Sequence, residues 1–317
     1  MKNLRISNRA KYTISILLVI AAVLMIVAAV IINNVRPPEI VEDRVIHDEV
    51  LSASGMNRRE NFFTVLVVGI DAASNSTDTI MLAAFDNEQK KMSIMSIPRD
   101  TITNTNRANK KINAAYVTHH KDIEALYDEV ESVTGVRPDK YALVTVDGFV
   151  EVIDAIGGVE VDVPIDMVYN DPTQDLKINI KKGLQTLDGY DSMGFMRYRK
   201  TYAEGDIGRI KMQHTFVDAV IKKMLTPATF AKIPDIAEII IENTETDLTL
   251  GNEIWLGRQL LTMNLEQDVL MTTLPGRADY YENLSYYFPI EEEVLAIVNE
   301  SFNPYIEPIG ELDLFKR

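Results

Sequence analysis

The most constraining feature of this sequence is an uncharged apolar stretch close to the N-terminus. Residues 13–32 are twenty consecutive positions without a charged side chain, most of them Ile, Leu, Val or Ala. As an α-helix, such a stretch spans about 30 Å, the thickness of the hydrocarbon core of a bilayer. A charge at the centre of a membrane helix costs about 3 kcal/mol, so an uninterrupted run of this length predicts a transmembrane helix.

The charges around this stretch predict its orientation. Four basic residues and no acid precede it: Lys2, Arg5, Arg9 and Lys11. The excess of positive charge places the N-terminus in the cytoplasm and the rest of the chain outside the cell membrane. A cleaved signal peptide is the alternative, but the run is longer than the usual apolar region of about 7–15 residues. The predicted segments are a cytoplasmic tail at 1–12, a transmembrane helix at 13–32, an extracytoplasmic stalk at 33–60 and a domain at 61–317.

Composition excludes several classes of protein. About a quarter of the residues are charged (25%) and 46% are hydrophobic, which is typical of a globular chain. The net charge of -15 argues against a nucleic-acid partner, because such a partner requires a basic surface. The absence of cysteine excludes thiol catalysis and cysteine-based metal sites.

Apolar runs and helical periodicity alternate along the exported part of the chain. Such interleaving predicts an α/β fold layered around one sheet. The predicted strands are 62–70, 79–85, 92–97, 141–146, 159–163 and 269–274. The predicted helices are 114–133, 149–156, 206–225, 228–242, 251–264 and 290–299.

Two aspartates flank the turn between the first two predicted strands. Asp71 ends the first strand and Asp78 opens the second, so a short loop would hold both carboxylates at one edge of the sheet. Adjacent carboxylates repel, and Mg²⁺ relieves this repulsion because it binds one or two carboxylates together with phosphate oxygens. The other interpretation is that both aspartates only cap turns.

Several arginines lie at the ends of predicted elements. Arg99 follows the third strand, and Arg197 and Arg199 share one face if their segment is extended. The rigid guanidinium fork binds phosphate in a bidentate manner, so such a group in an acidic protein indicates an anion site. Surface ion pairs, each contributing about 0–1 kcal/mol, are the alternative.

The predicted helix at 206–225 carries further polar candidates. Arg209 and Gln213 are four residues apart and therefore neighbours on one helical face. Asp206 lies near the start of the helix, where the helix dipole favours a carboxylate or a bound anion.

The order of short motifs in this chain resembles the LytR-CpsA-Psr family. Eight blocks in sequence, over about 150 residues, carry the resemblance. They are LVVGID (66–71), TDTIML (77–82), MSIPRDT (95–101), KINAAY (111–116), DGF (147–149), DAIGGV (154–159), RYR (197–199) and GDIGR (205–209), followed by Gln213.

The resemblance implies a three-layer α/β/α fold around a central mixed sheet, with a tunnel for a polyprenyl chain. It implies an enzyme of the Gram-positive-type envelope, a phosphotransferase that moves a glycopolymer or sugar phosphate from a polyprenyl (pyro)phosphate carrier onto peptidoglycan. Teichoic acid is one such polymer. The motifs cover a core at 61–226, and the resemblance is weaker at 227–317. A polyprenyl-pyrophosphate hydrolase and a non-catalytic regulatory or binding protein of the cell envelope are the alternatives.

Carried over residue by residue, the resemblance implies roles for the candidates named above. Asp71 and Asp78 would hold Mg²⁺, and Asp78 or Asp206 is the candidate base. The pyrophosphate would be held by Arg99, Arg197, Arg199, Arg209 and Gln213. Family members often carry an arginine two residues after the first aspartate, whereas this chain has Ala73 there. This departure suggests a looser clamp on that side.

Overall fold

The computed structural model of the chain describes most of the residues from position 56 onward. The described residues are 36–38, 56–71, 76–118, 121–171, 176–198, 212, 215–216, 218–220, 222–224, 226–230, 232–249, 251–252, 255–257, 259, 263–264 and 267–317. Within these ranges no helix is both long and apolar enough to cross a bilayer. The predicted transmembrane helix at 13–32 lies outside them, as do four site candidates: Arg199, Asp206, Arg209 and Gln213.

The chain forms two compact units of unequal size. The smaller comprises residues 1–39 and 248–262, and the larger comprises 40–247 and 263–317. In the smaller unit Asn252 is buried, and its Oδ1 accepts a hydrogen bond from the Thr249 amide at 2.9 Å. The Nδ2 of Asn252 donates to the carbonyl oxygen of Arg36 at 3.0 Å. The described site candidates, Asp71, Asp78, Arg99 and Arg197, belong to the larger unit.

The strands of the larger unit form one six-stranded sheet and three two-stranded sheets. They are β1 (Phe62–Asp71), β2 (Ser76–Asp86), β3 (Lys91–Ser96), β4 (Lys140–Thr145), β5 (Val159–Val163), β6 (Met167–Asp171), β7 (Leu176–Ile180), β8 (Gly183–Leu187), β9 (Thr244–Thr246), β10 (Val269–Thr273), β11 (Gly276–Tyr281) and β12 (Leu284–Pro289). The large sheet has the order β10-β3-β2-β1-β4-β9, and the pairs are β11-β12, β5-β8 and β6-β7. The large sheet is mixed, because β1 pairs with β4 and β3 with β10 in parallel, whereas its other pairs are antiparallel.

Helices are interleaved with these strands, so the predicted α/β class with a central mixed sheet is confirmed. They are a 3₁₀ helix at Ile112–Ala114, α1 (Ala115–Thr118), α2 (Ile123–Thr134), α3 (Val146–Ala155), α4 (Gly189–Arg197), α5 (Pro227–Phe230), α6 (Ile233–Asn243) and α7 (Glu291–Ser301). The described residues between 212 and 224 are also helical.

The central strand β1 is buried along most of its length, as its continuous apolar run predicts. Leu66 and Val68 are 0% exposed and belong to the main hydrophobic core. That core also contains residues of α2 and α7, including Val130 and Val298. Burying apolar side chains in this way is the main stabilising contribution to such a fold.

The predicted helix at 114–133 is wrong as one continuous element. The segment is instead divided into the 3₁₀ helix, α1 and α2. Lys121 has a left-handed φ of 66°, and Asp122 caps α2 by accepting a hydrogen bond from the Glu124 amide. An N-cap aspartate satisfies an amide that a continuous helix would bond to the preceding turn, so it favours a new start. Gly135 ends α2 in the left-handed conformation.

The motif at 154–159 has a structural role in the second hydrophobic core. The carboxylate of Asp154 accepts a hydrogen bond from the Gly189 amide at 2.7 Å and so holds the start of α4. Gly158 has a φ of 75°, and a Cβ there would lie 2.7 Å from the Leu187 carbonyl oxygen. The Asp154 contact joins α3 to α4, and the absence of a Cβ at Gly158 lets the chain after α3 lie close to β8.

A buried carboxylate anchors the start of β4 to β1. Asp139 is 5% exposed and accepts hydrogen bonds from the amide and hydroxyl of Thr64, at 2.8 and 2.9 Å. Arg58 donates to both carboxylate oxygens of Asp139, at 2.7 and 2.8 Å. A bidentate arginine compensates the burial of this charge.

We expect Asp139→Ala to destabilise the larger unit by about 3 kcal/mol, because it leaves Arg58 and the Thr64 amide without their acceptor. Urea denaturation followed by circular dichroism would measure this loss. The exposed Asp166 pairs with Lys181 on the surface, so Asp166→Ala is the matched control and should change stability little. Equal effects of the two variants would contradict the assigned role of Asp139.

Gly189 allows α4 to lie close to α3. A Cβ at this position would lie 2.3 Å from the Val150 carbonyl oxygen, a distance that requires the backbone to move. We therefore expect Gly189→Ala to destabilise the protein by about 2 kcal/mol, the range of overpacked cores, in the same denaturation assay. Gly310→Ala is the control, because no atom lies within 4 Å of its added Cβ. An undiminished stability of Gly189→Ala would show that α4 is not tightly packed there.

Candidate functional site

Several strand ends meet at one edge of the large sheet. The antiparallel pairing of β1 with β2 and of β2 with β3 places the end of β1, the start of β2 and the end of β3 together. The parallel pairs add the ends of β4 and β10 to this edge, through Ile70 opposite Thr145 and Ser96 opposite Thr273. Ligand sites of open α/β sheets usually lie where strands end in this way.

The backbone at Asp71 and Asp78 lies at this edge. Asp71 is the last residue of β1 and pairs with Ser76, so β2 begins three residues before its predicted start at 79. The register is irregular between Gly69, opposite Thr79, and Ile70, opposite Thr77, and the extra residue is Asp78. A bulge of this kind bends the strand and commonly occurs next to active sites. Positions 71 and 78 are thus diagonal neighbours, which lie about 7–8 Å apart in a regular ladder.

Arg99 follows β3 at the same edge. The Ile97 amide donates to the Ile80 carbonyl oxygen at 2.8 Å, which extends the pairing of β3 with β2 to the residue before Pro98. Arg99 is half-buried, and its Nε is buried. It is the second residue of the segment 98–113, here called the arginine loop. The structure thus brings three predicted site positions, 71, 78 and 99, to one edge.

The C-terminal hairpin holds the start of the arginine loop. The Tyr287 amide of β12 donates to the Asp100 carbonyl oxygen, and the Ile102 amide donates to the Tyr287 carbonyl oxygen, each at 2.9 Å. The Tyr287 hydroxyl donates to the Leu274 carbonyl oxygen at 2.8 Å. Lys111 Nζ donates to Asp100 Oδ1 at 2.7 Å and lies 5.7 Å from the centre of the Tyr286 ring. Strand β12 therefore fixes the backbone of residues 100–102, directly after Arg99.

Helix α2 holds the middle of the same loop through one carboxylate. Glu129 is 9% exposed and accepts hydrogen bonds from the Thr103 hydroxyl at 2.9 Å and from Arg107 Nη2 at 2.8 Å. A second ion-pair contact joins Arg107 Nη1 to Glu129. Thr103 and Lys110 are also joined by a backbone hydrogen bond of 3.0 Å, so the loop closes on itself as a hairpin.

The backbone of Asn113, at the end of the arginine loop, contacts Arg99 after β3 and Thr77 in β2. Its amide donates to the Arg99 carbonyl oxygen at 3.3 Å. Its carbonyl oxygen accepts a hydrogen bond from the Thr77 hydroxyl at 2.9 Å, and Thr77 is the residue before Asp78. The backbone of Asn113 therefore lies between Arg99 and the bulge of β2.

Arg197 lies at the end of a helix rather than in the extended segment considered for it. It is the last residue of α4, so the extended geometry that would align it with position 199 is wrong at Arg197 itself. Tyr198 is the first extended residue and is 4% exposed within the second core. A cation in the last turn of a helix is favoured by the helix dipole.

The described side chains include no group of three or more histidines, aspartates and glutamates that could hold a metal ion. Tyr116 lies in the KINAAY motif and is 4% exposed. Burial, with smaller contributions from Glu245 and Tyr141, raises the pKa of its hydroxyl, so Tyr116 is not suited to act as a base.

The comparison with known proteins identifies the family. The model of the LytR_cpsA_psr family matches residues 39–303. The polyisoprenyl-teichoic acid--peptidoglycan teichoic acid transferase TagV of Bacillus subtilis is 31% identical over 257 residues, which are 77% of this chain and 65% of TagV. The regulatory protein MsrR of Staphylococcus aureus is 30% identical over 233 residues, 72% of this chain and 68% of MsrR.

The fold agrees with these similarities. The crystal structure of B. subtilis TagV superposes with a TM-score of 0.61 at 29% identity, and the match covers 76% of this chain and 95% of that structure. The matched part of this chain spans less than two thirds of the full length of TagV. The family match covers most of the present chain, including every predicted site residue. The chain therefore belongs to the LytR_cpsA_psr family.

Proposed function

We propose that this chain is a phosphotransferase that moves a glycopolymer or sugar phosphate from a polyprenyl pyrophosphate carrier onto peptidoglycan. In this proposal the helix at 13–32 anchors the protein in the cell membrane with the N-terminus inside, and the domain works outside the membrane. The central mixed sheet forms the middle of a three-layer α/β/α domain. Mg²⁺ is the proposed metal ion.

The family and the relative's name support the type of reaction. TagV is named as a transferase that joins teichoic acid to peptidoglycan from a polyisoprenyl-linked donor. The observation that carries the proposal in this chain is the convergence of positions 71, 78 and 99 at one sheet edge. Two acids and an arginine at one edge suit a diphosphate with its dication, because phosphoryl transfer depends on positioning and charge neutralisation.

The residues at this edge also fit a magnesium ion. Carboxylate oxygens are ligands that Mg²⁺ prefers, and the buried carboxamide oxygen of Asn113 has no hydrogen-bond donor among the described residues. Asp71 and Asp78 would hold the ion. When bound, Mg²⁺ would neutralise negative charge on the diphosphate oxygens.

Each proposed residue has a definite part in the reaction. Arg99 binds diphosphate oxygens with its planar fork, and Arg197, Arg199, Arg209 and Gln213 complete the anion site. A hydroxyl of the peptidoglycan sugar attacks the phosphorus next to the transferred sugar. The bond from that phosphorus to the bridging oxygen breaks, and polyprenyl phosphate leaves. The hydroxyl proton passes to a base, and Asp206 is the candidate because a metal-bound Asp78 would be a weak base.

Two other functions share parts of this site. A hydrolase would use water in place of the sugar hydroxyl, and a regulatory protein would bind the polymer without turnover. The name of MsrR as a regulatory protein is the observation that favours the second. Product analysis separates all three functions.

We expect Arg99→Ala to lower the rate of Mg²⁺-dependent release of polyprenyl phosphate on the order of 100-fold, because one donor to the developing charge is lost. Arg99→Lys should recover only part of this rate, since lysine cannot form the bidentate contact. Asp78→Ala should abolish the Mg²⁺-dependent release of polyprenyl phosphate. Arg277 is exposed on β11, so Arg277→Ala is the matched control and should retain wild-type activity.

The same assay, with polymer attached to peptidoglycan measured in parallel, decides among the functions. The proposal requires both polyprenyl phosphate and the attached polymer. Release by the wild-type protein without attachment would identify a hydrolase. Binding without release would identify a regulatory or binding protein, and either result would overturn the transferase proposal.

The hydrogen bonds that Glu129 of α2 accepts from the arginine loop lead to a separate prediction. Glu129→Ala leaves Arg107 and Thr103 without their buried acceptor, so the loop should loosen and bind the diphosphate more weakly. We expect the Kd for geranylgeranyl diphosphate to rise about ten-fold, equivalent to about 1.4 kcal/mol. Isothermal titration calorimetry measures the Kd. Glu160→Ala, on the exposed face of β5, is the control, and an unchanged Kd for Glu129→Ala would show that α2 does not support the site.

A further inference from the structure

The carboxamide oxygen of Asn113 is a buried acceptor without a donor. No described residue donates a hydrogen bond to Asn113 Oδ1, although the atom is shielded from solvent. The great majority of buried polar side-chain atoms have a partner, and an exception at a functional site indicates a missing ion, water or ligand. The backbone of the same residue lies at the sheet edge described above, between the bulge of β2 and Arg99.

The surrounding structure fixes Asn113 in place. The backbone contacts to Thr77 and Arg99 hold it on both sides. Its neighbours Ile112 and Ala115 are 0% exposed and belong to the main hydrophobic core. The side chain therefore extends from a segment that is held in place on both sides.

The chemistry of the site limits what the donor is. Ionised phosphate oxygens only accept hydrogen bonds, so the diphosphate does not satisfy a carboxamide oxygen directly. A water bound to Mg²⁺ is a polarised donor, and Mg²⁺ usually retains several waters when it binds one or two carboxylates. We propose that Asn113 Oδ1 accepts a hydrogen bond from a metal-bound water and so makes Asn113 a positioning residue of the dication. This inference rests on the proposed function.

The test measures metal binding rather than turnover. Thermal unfolding of the full-length chain in detergent is followed while MgCl₂ alone is added, and the midpoint concentration of the Tm increase is recorded. Asn113→Ala should raise this midpoint on the order of ten-fold, because partners of metal-bound groups typically change metal affinity by that amount or more. Asn113→Asp keeps an oxygen acceptor and should restore a midpoint close to wild type. A merely structural role would not give this pattern of loss and rescue.

The controls separate this inference from the proposed function. Asn106 is an exposed asparagine on the same loop, so Asn106→Ala should leave the midpoint unchanged. A wild-type chain whose Tm does not respond to Mg²⁺ would overturn the proposed metal site and this inference together. A responsive wild type with an unchanged midpoint in Asn113→Ala would overturn only the role of Asn113. If the alanine variant fails to fold, Asn113→Ser replaces it. Serine shortens the side chain and withdraws the acceptor, so the same rise in the Mg²⁺ midpoint is expected.

Discussion

The candidate site depends on the way the arginine loop is held against the end of the large sheet. A guanidinium group binds a diphosphate well only when its backbone is already positioned, since ordering a loop on binding would use much of the interaction free energy. Here three separate elements supply that order. The strand β12 bonds the backbone on both sides of Thr101, Glu129 of α2 neutralises Arg107, and Asn113 returns the end of the loop to Arg99 and Thr77.

This arrangement gives the C-terminal part of the chain, which carries none of the quoted motifs, a role in holding the site. Strand β10 extends the sheet beside β3, and the Leu274 amide donates to the Ser96 carbonyl oxygen at 2.9 Å. Tyr287 then joins this strand to the arginine loop through its hydroxyl and its backbone. Most of these contacts use main-chain atoms, which any residue provides. A site can therefore be held in place by a segment whose side chains vary, so the motifs alone do not delimit the functional domain.

The sequence predicted β1 and β3 well because their apolar runs are continuous, and β5 because its buried Val residues alternate with exposed Glu and Asp. β1, β3 and β5 lie within one or two residues of their predicted bounds. β6 and β8 were not predicted, because exposed apolar residues, Val168 in β6 and Leu184 in β8, break the alternation that revealed β5. β7 was not predicted either, although its Leu and Ile residues alternate with Lys and Asn. β9 is three residues long and carries no detectable period. The break before α2 depends on the left-handed backbone at Lys121, which helical periodicity does not reveal.

Part of the site was also predictable from the apolar strands. Asp71 and Arg99 follow apolar strands, so the end of each strand predicts their place at the sheet edge. The bulge at Asp78 depends on strand register, which no local pattern specifies. The buried oxygen of Asn113 could not be predicted either, because burial of a single atom results from packing between distant segments. Within the sequence, the only signal for it was the KINAAY motif itself.

The most direct test of the account is anomalous diffraction from crystals of the full chain soaked with Mn²⁺ and geranylgeranyl diphosphate. The account predicts one manganese peak between the carboxylates of Asp71 and Asp78, with the diphosphate within hydrogen-bonding distance of the Arg99 guanidinium. A diphosphate bound elsewhere, with Asp71, Asp78 and Arg99 each engaged by local protein partners, would contradict it.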